Sequence, residues 1–198
     1  MTPAEAVDRG FVLVNWLAAQ VNGLPLEASP RNETAAACLS IAQDHHAGVI
    51  VLLERELHAS AVALVRSQYE AYVLGLWLAH CASDSQLERF IRGGDPPSIS
   101  AQLARIEALD AYRDGQLSNI KAQSWRAMCS FTHTGSLQVE RWLTANGIEQ
   151  NYPPEDLVQT ANFTGTIALL AGIGLATLAN NVELAWRFLE KSREHAAA

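Results

Sequence analysis

The run Ser60-Ala61-Val62-Ala63-Leu64-Val65-Arg66-Ser67-Gln68-Tyr69-Glu70-Ala71-Tyr72-Val73-Leu74-Gly75-Leu76-Trp77-Leu78-Ala79-His80-Cys81 decides the fold class. Apart from Arg66, Ser67, Gln68, Glu70 and His80, almost every residue is apolar, and there is no period-2 alternation of the kind a strand requires. The run predicts a helix over about Ser60 to Cys81, set off from its predecessor by a break near His58. Upstream, Ser29-Pro30 opens a helix that continues to about Glu56, with a broad apolar surface at Ala37, Leu39, Ile41 and Val49 to Leu53. Before it, Thr2 caps, Pro3 takes the first helical position and Glu5 closes a capping box. That first helix runs to about Gln20, and Gly23 to Ala28, with Pro25, connects the two.

Downstream, Ser83-Asp84-Ser85-Gln86 is a second capping box, opening a short helix that ends at Gly93-Gly94. Asp95 to Ser98 is a loop, a fifth helix follows to about Leu109, and a sixth covers Gln116 to Phe131. A further helical stretch, Leu137 to Thr144, ends at Asn146-Gly147. Tyr152-Pro153-Pro154 begins the last long element, with Glu155 and Asp156 at its positive end and Asn180-Asn181 as a bend or break point. The expectation is an all-α chain: an up-and-down bundle of about four long helices with short ones appended. No repeat or linker divides it, so residues 1–198 form one domain.

Composition narrows the function classes. Apolar residues make up 49% of the 198-residue chain and charged residues 18%, ordinary values for a globular protein with a sizeable core. A net charge of −7 argues against a broad nucleic-acid surface, because backbone binding needs Lys and Arg against phosphates, but it leaves room for one small basic pocket. Cys38, Cys81 and Cys129 are widely spaced and sit among apolar residues, which fits buried thiols in a reducing, cytoplasmic setting. Glu5, Asp8 and Arg9 interrupt the N-terminus, so no signal peptide is expected. Between Asp156 and Glu183 no residue is charged, a length sufficient to span a bilayer. Gln159, Asn162, Asn180 and Asn181 make that stretch polar, and Gly165, Ala168, Gly172 and Ala176 recur at helical spacing, so it reads as a buried core helix and no membrane is expected.

Three constellations could carry chemistry. Arg126 and His133 are seven residues apart, close to two turns, and share one face if the helix persists that far. Such a pair could cut RNA without metal: the His as general base or acid at the 2′-OH or leaving oxygen, the Arg stabilising the anionic phosphorane. Equally, Arg126 could be solvated and His133 a helix cap. Arg66 and Glu70, at i and i+4 in the apolar helix, read as an internal ion pair fixing register, or as the lining of a polar pocket shared with His133. Asp44, His45 and His46 with Glu54 and His58 could in principle hold a metal. However, adjacent histidines diverge by about 100° on a helix, and Glu54 and His58 straddle a helix end, so no metal is expected. Nucleotide-binding glycine patterns, serine elbows and His-Glu-x-x-His are absent, and no cofactor is expected.

Ala63 to Tyr72 followed by Gly75-Leu76-Trp77-Leu78 resembles the signature helix of a group of uncharacterised bacterial helical proteins. Ser130-Phe131-Thr132-His133-Thr134-Gly135, with Gln138 after it, resembles that group's second motif, and the likeness spans about His45 to Arg187. More distantly, the layout resembles the HEPN superfamily, all-helical proteins common in toxin–antitoxin and phage-defence systems. Many of these are metal-independent ribonucleases with an Arg and a His separated by four to six residues. Arg126 and His133, with six between them, match the outer limit, whereas Ala127 stands where those nucleases commonly carry a polar residue. The resemblance implies an RNA substrate, a homodimer joining two such motifs, and an antitoxin or other protein partner. In that reading His133 is the acid/base, Arg126 the phosphate clamp, and Arg66, Glu70, Ser130 and Gln138 orient the site. Some HEPN-like proteins are non-catalytic, and the alternative is a helical interaction or dimerisation protein with a structural Arg66–Glu70 core pair.

Overall fold

The apolar run becomes α3, His58–His80, and its periodicity determines what surrounds it. Tyr69, Tyr72, Val73, Leu76 and Trp77 turn inward, and Trp77 and Tyr69 are among the largest fully buried side chains of the molecule. The computed structural model describes residues 1–197. Four long helices build the bundle: α1 (Pro3–Val21), α2 (Pro30–Glu54), α3 and α8 (Pro154–Leu178). α2 lies at the centre, packed on α1, α3 and α8. The short helices α4 (Asp84–Ile91), α5 (Ile99–Ile106) and α7 (Ser136–Glu140), the 17-residue α6 (Gln116–Thr132) and the C-terminal α9 (Val182–Ala197) are arranged around it.

Helix starts follow the side chains that precede them. Thr2 and Glu5 form a reciprocal capping box, Ser83 and Gln86 a second, and Ser29 accepts from the Asn32 amide before Pro30. The last long element breaks where the paired asparagines stand. Asn180 takes a left-handed backbone at φ 51°, and the Asn181 carboxamide accepts from Leu184 N at 3.0 Å, starting α9 as a separate helix.

The core is close-packed to a degree that requires glycine. A Cβ on Gly172 would stand 2.1 Å from the Phe188 ring, so α8 and α9 approach more closely than any side chain at that position would allow. Three polar side chains are fully buried between α2, α3 and α8. His46 Nδ1 lies 3.0 Å from Thr164 Oγ1, and Gln68 Nε2 donates to the Ala42 and Thr164 carbonyls at 3.0 and 2.8 Å. The Thr164 hydroxyl already donates to Thr160 O, so the hydroxyl accepts and His46 carries its proton on Nδ1. Burial pushes the His46 imidazole down to about 3, which keeps it neutral. By length and apolar composition both α2 and α8 could cross a membrane; in this fold each packs against three or more neighbouring helices. The cysteines are free thiols, and burial raises Cys38 to about 11.

The sequence expectation fails over Leu137 to Thr144. The helix there is only α7, and the chain then folds into a small antiparallel hairpin, β1 (Leu143–Thr144) and β2 (Gly147–Ile148), pairing Leu143 with Ile148. Asn146-Gly147 is part of a hairpin and not a helix end: Ala145 and Asn146 form the turn, Thr144 Oγ1 accepts from Asn146 N at 3.2 Å, and Gly147 opens β2 at φ 137°, which side-chain-bearing residues avoid.

Candidate functional site

α6 is the least buried of the larger helices, with only Leu117 and Met128 buried among its 17 residues. It is held to α3 at both ends. At its start the buried Tyr69 hydroxyl donates to Leu117 O at 2.6 Å, and Glu107 accepts from the Ser118 amide at 2.7 Å and from its hydroxyl at 2.5 Å. At its end Thr132 Oγ1 donates to Ala63 O at 3.1 Å. The helix carries Lys121 and Arg126 and no acidic residue, a locally cationic element on an acidic chain.

Its last turn is shaped by the Ser130 to Gly135 motif. The Gly135 amide donates to Ser130 O at 2.7 Å across a left-handed Thr134 at φ 53°, the geometry of a Schellman closure. A Cβ on Gly135 would fall 2.6 Å from Ser130 Oγ, and that same hydroxyl accepts from Leu137 N at 3.0 Å. Ser130 thus closes α6 and caps α7. Gln138 is buried, donating to Ala59 O at 3.3 Å and accepting from the Tyr152 hydroxyl at 3.1 Å. Ser130 fixes the 130–138 turn internally, and Gln138 ties it to α3.

That turn delivers His133, exposed, to the flank of α3. The partner of its Nε2 is the Arg66 guanidinium, through Nη1. A guanidinium only donates, so Nε2 accepts and the His133 proton sits on Nδ1. Arg66 Nε and Nη2 each reach Glu70 Oε1 at 3.0 Å, and the guanidinium carbon lies 4.8 Å from the centre of the Trp125 ring. Lys121 Nζ approaches the same ring at 5.4 Å. Residues distant in sequence, Glu70 and Arg66 from α3 with Trp125 and His133 from α6, therefore form one continuous polar cluster.

Two sequence expectations change here. Arg66–Glu70 is not a core pair: the side chains are 20% and 40% exposed, because the i, i+4 stripe through 66 and 70 faces α6 and solvent while 69, 72 and 76 face the core. Arg126 is exposed and makes no hydrogen bond or ion pair among the described residues; on the same helix it lies about 10 Å from His133 by axial rise. The arginine in contact with His133 is Arg66. Trp125 and Lys121 were legible only as helix residues, since nothing in spacing along α6 reveals that α3 presents a cation to the indole. Of the proposed metal ligands, His46 is turned into the core on Thr164, and among the described residues no three His, Cys, Asp or Glu side chains converge.

Beside the cluster, between α3, α6 and α8, opens a cleft of about 570 Å³. Its polar end holds Arg141 and Asp156, paired at 2.6 Å, whose connection across 15 residues no local pattern reveals.

A sequence profile described as a family of unknown function (DUF6988) matches residues 39–198, and the chain belongs to that family. The matched region contains every residue of the cluster and of the cleft. No curated protein and no solved structure matches the chain.

Proposed function

We propose that this member of the family is a HEPN-like, metal-independent ribonuclease whose working centre is the Glu70–Arg66–His133 cluster with Arg126 on the same helix. The observation that carries the reading is the direct contact between the Arg66 guanidinium and the unprotonated nitrogen of an exposed histidine. An imidazole with a free lone pair, a cation beside it and a helix lacking carboxylates suit an anionic phosphodiester.

The resting cluster also suggests an order of events. Arg66 is drawn from His133 to an arriving phosphate, because charge-assisted bonds to a phosphate oxygen are stronger than a bond to a neutral imidazole. Glu70 and the Trp125 ring keep the guanidinium from swinging away while it makes that exchange. Nε2 is then free to take the 2′-OH proton; the oxygen attacks phosphorus, and Arg66 and Arg126 stabilise the phosphorane as the 5′-oxygen leaves. A homodimer would bring a second cluster to supply the leaving-group proton, and an antitoxin-like partner would cover it. The test is cleavage of single-stranded RNA in excess EDTA by the purified protein, with sedimentation velocity for the dimer. Wild type is expected to leave cyclic phosphate ends and His133→Ala to lose activity by about 10²–10⁴-fold, the usual contribution of a positioned acid or base. Intact RNA with wild type, or equal cleavage by both, overturns the proposal.

One observation favours a second reading, a non-catalytic helical interaction protein. Every nitrogen of the Arg66 guanidinium is engaged, which makes it a clasp between α3 and α6. In that case Arg66→Ala lowers stability by about 1–2 kcal/mol, the sum expected of a half-exposed ion pair and a cation–π contact, with no RNA cleavage in any variant.

A further inference from the structure

The cleft beside the cluster takes no part in the proposed chemistry. It exists because α6 leans on α3 and stands off from α8, leaving Ala127, Met128 and Phe131 facing Phe163 across a gap, with Val62 and Val65 as the floor. At about 570 Å³ it is within the usual size of small-molecule sites. Its charged side chains, Arg141 and Asp156, pair at 2.6 Å through Arg141 Nη2, which balances their charges while leaving the buried Arg141 Nε without a partner among the described residues. Other polar lining groups are already committed: Thr160 donates to Asp156 O and Tyr152 to Gln138. Three are not. The side chains of Ser124 on α6 and of Gln159 and Asn162 on α8 make no hydrogen bond among the described residues, and the two amides stand at i and i+3 on one face.

We infer that the cleft is a binding site for a small uncharged molecule with an apolar, ring-bearing body and an amide-type edge. The body fills the space between Met128, Phe131 and Phe163, and the edge is read by Gln159 and Asn162, each offering both a donor and an acceptor. Charge selects against carboxylates, because a second anion would lie beside the Asp156 carboxylate, whose charge already balances that of Arg141, while the open Arg141 Nε suits a neutral acceptor such as an amide oxygen.

The test uses the full chain and the uncharged fluorophore N-phenyl-1-naphthylamine. Saturable binding at one probe per chain is expected, with benzamide displacing the probe at concentrations at least tenfold below benzoate. Ala127→Trp fills the cleft from α6 and should weaken binding at least tenfold. Gln159→Trp fills it from an exposed position on α8 and does so without touching the core, so it decides the matter if the first variant misfolds. Absence of saturable binding by wild type, unchanged binding by folded Gln159→Trp, or equal displacement by benzamide and benzoate each overturns the inference. None of these readouts depends on RNA cleavage, so they stand or fall independently of the proposed nuclease.

Discussion

α8 and α6 are both long helices on the same bundle, and they are built to opposite specifications. α8 buries thirteen of its 25 residues, uses Gly172 to seat the Phe188 ring against its backbone, and has no charge beyond its first turn. α6 buries two of 17, is tied down at its ends by side-chain hydrogen bonds, sets Trp125 half-buried against Arg66 of α3, and presents Arg126 to solvent. The difference teaches where stability resides in this fold and where side chains are left exposed. A helix locked by close packing along its length holds the frame, and one packed along a single narrow face leaves more of its side chains free to meet a ligand.

Damage should therefore be unequal. Phe188 is fully buried against α8, and Phe188→Ala is expected to cost about 3–5 kcal/mol in denaturant unfolding, within the range for large core truncations. A loss below about 1 kcal/mol would mean that the α8–α9 interface is not the tight region described.

Acid should also act through the core. His46 has its folded-state value lowered from 6.5 to about 3 by burial, with His195 nearby adding to the effect, so the unfolded chain binds the proton more readily. Its contribution is complete above pH 6.5 and is lost as pH falls from there toward 3. A decline on the order of a few kcal/mol is expected across that window. His58, His80 and His195, whose values burial also lowers, add in the same direction. In His46→Gln the slope of stability against pH should flatten while that from the other three remains; an unchanged slope would show that His46 is not the buried neutral group the geometry describes.

At the α6 end the expected effect is smaller and of opposite sign. Thr134 holds a left-handed backbone at φ 53°, an uncommon conformation for a β-branched residue. Thr134→Gly should raise the unfolding free energy by about 0.5–1 kcal/mol, the relief of αL strain less the extra freedom of the unfolded glycine. A destabilised variant would mean that the threonine side chain contributes a contact outweighing its backbone strain.

The sequence made the frame legible because its signals are local. Capping boxes at Thr2 and Ser83, the Ser29-Pro30 start and the Asn180-Asn181 interruption each act within a few residues, and helix boundaries followed them closely. The hairpin after α7 was missed because two-residue strands carry no periodicity, leaving Asn146-Gly147 open to a helix-end interpretation. The site was only half legible. Arg66, Glu70 and His133 stand out as polar residues in apolar or turn settings, and a pocket shared by the three is one of the two readings of the pair; with Arg66 and His133 67 positions apart, the direct contact itself is not legible, and the same-helix rule assigns the clamp to Arg126. The Arg141–Asp156 pair and the amides of the cleft depend on how far α6 stands from α8, a tertiary distance that no spacing encodes.

The central claim is that the Arg66–His133 contact is a phosphodiester site at rest. Its most direct measurement is a titration of the protein with a non-cleavable 2′-deoxy dinucleotide, following the imidazole nitrogens of His133 by ¹⁵N NMR. The account predicts a proton on Nδ1 in the free protein, a saturable change at Nε2 as Arg66 is drawn to the phosphate, and loss of that response in Arg66→Ala. An Nε2 signal that does not move at any dinucleotide concentration would contradict it.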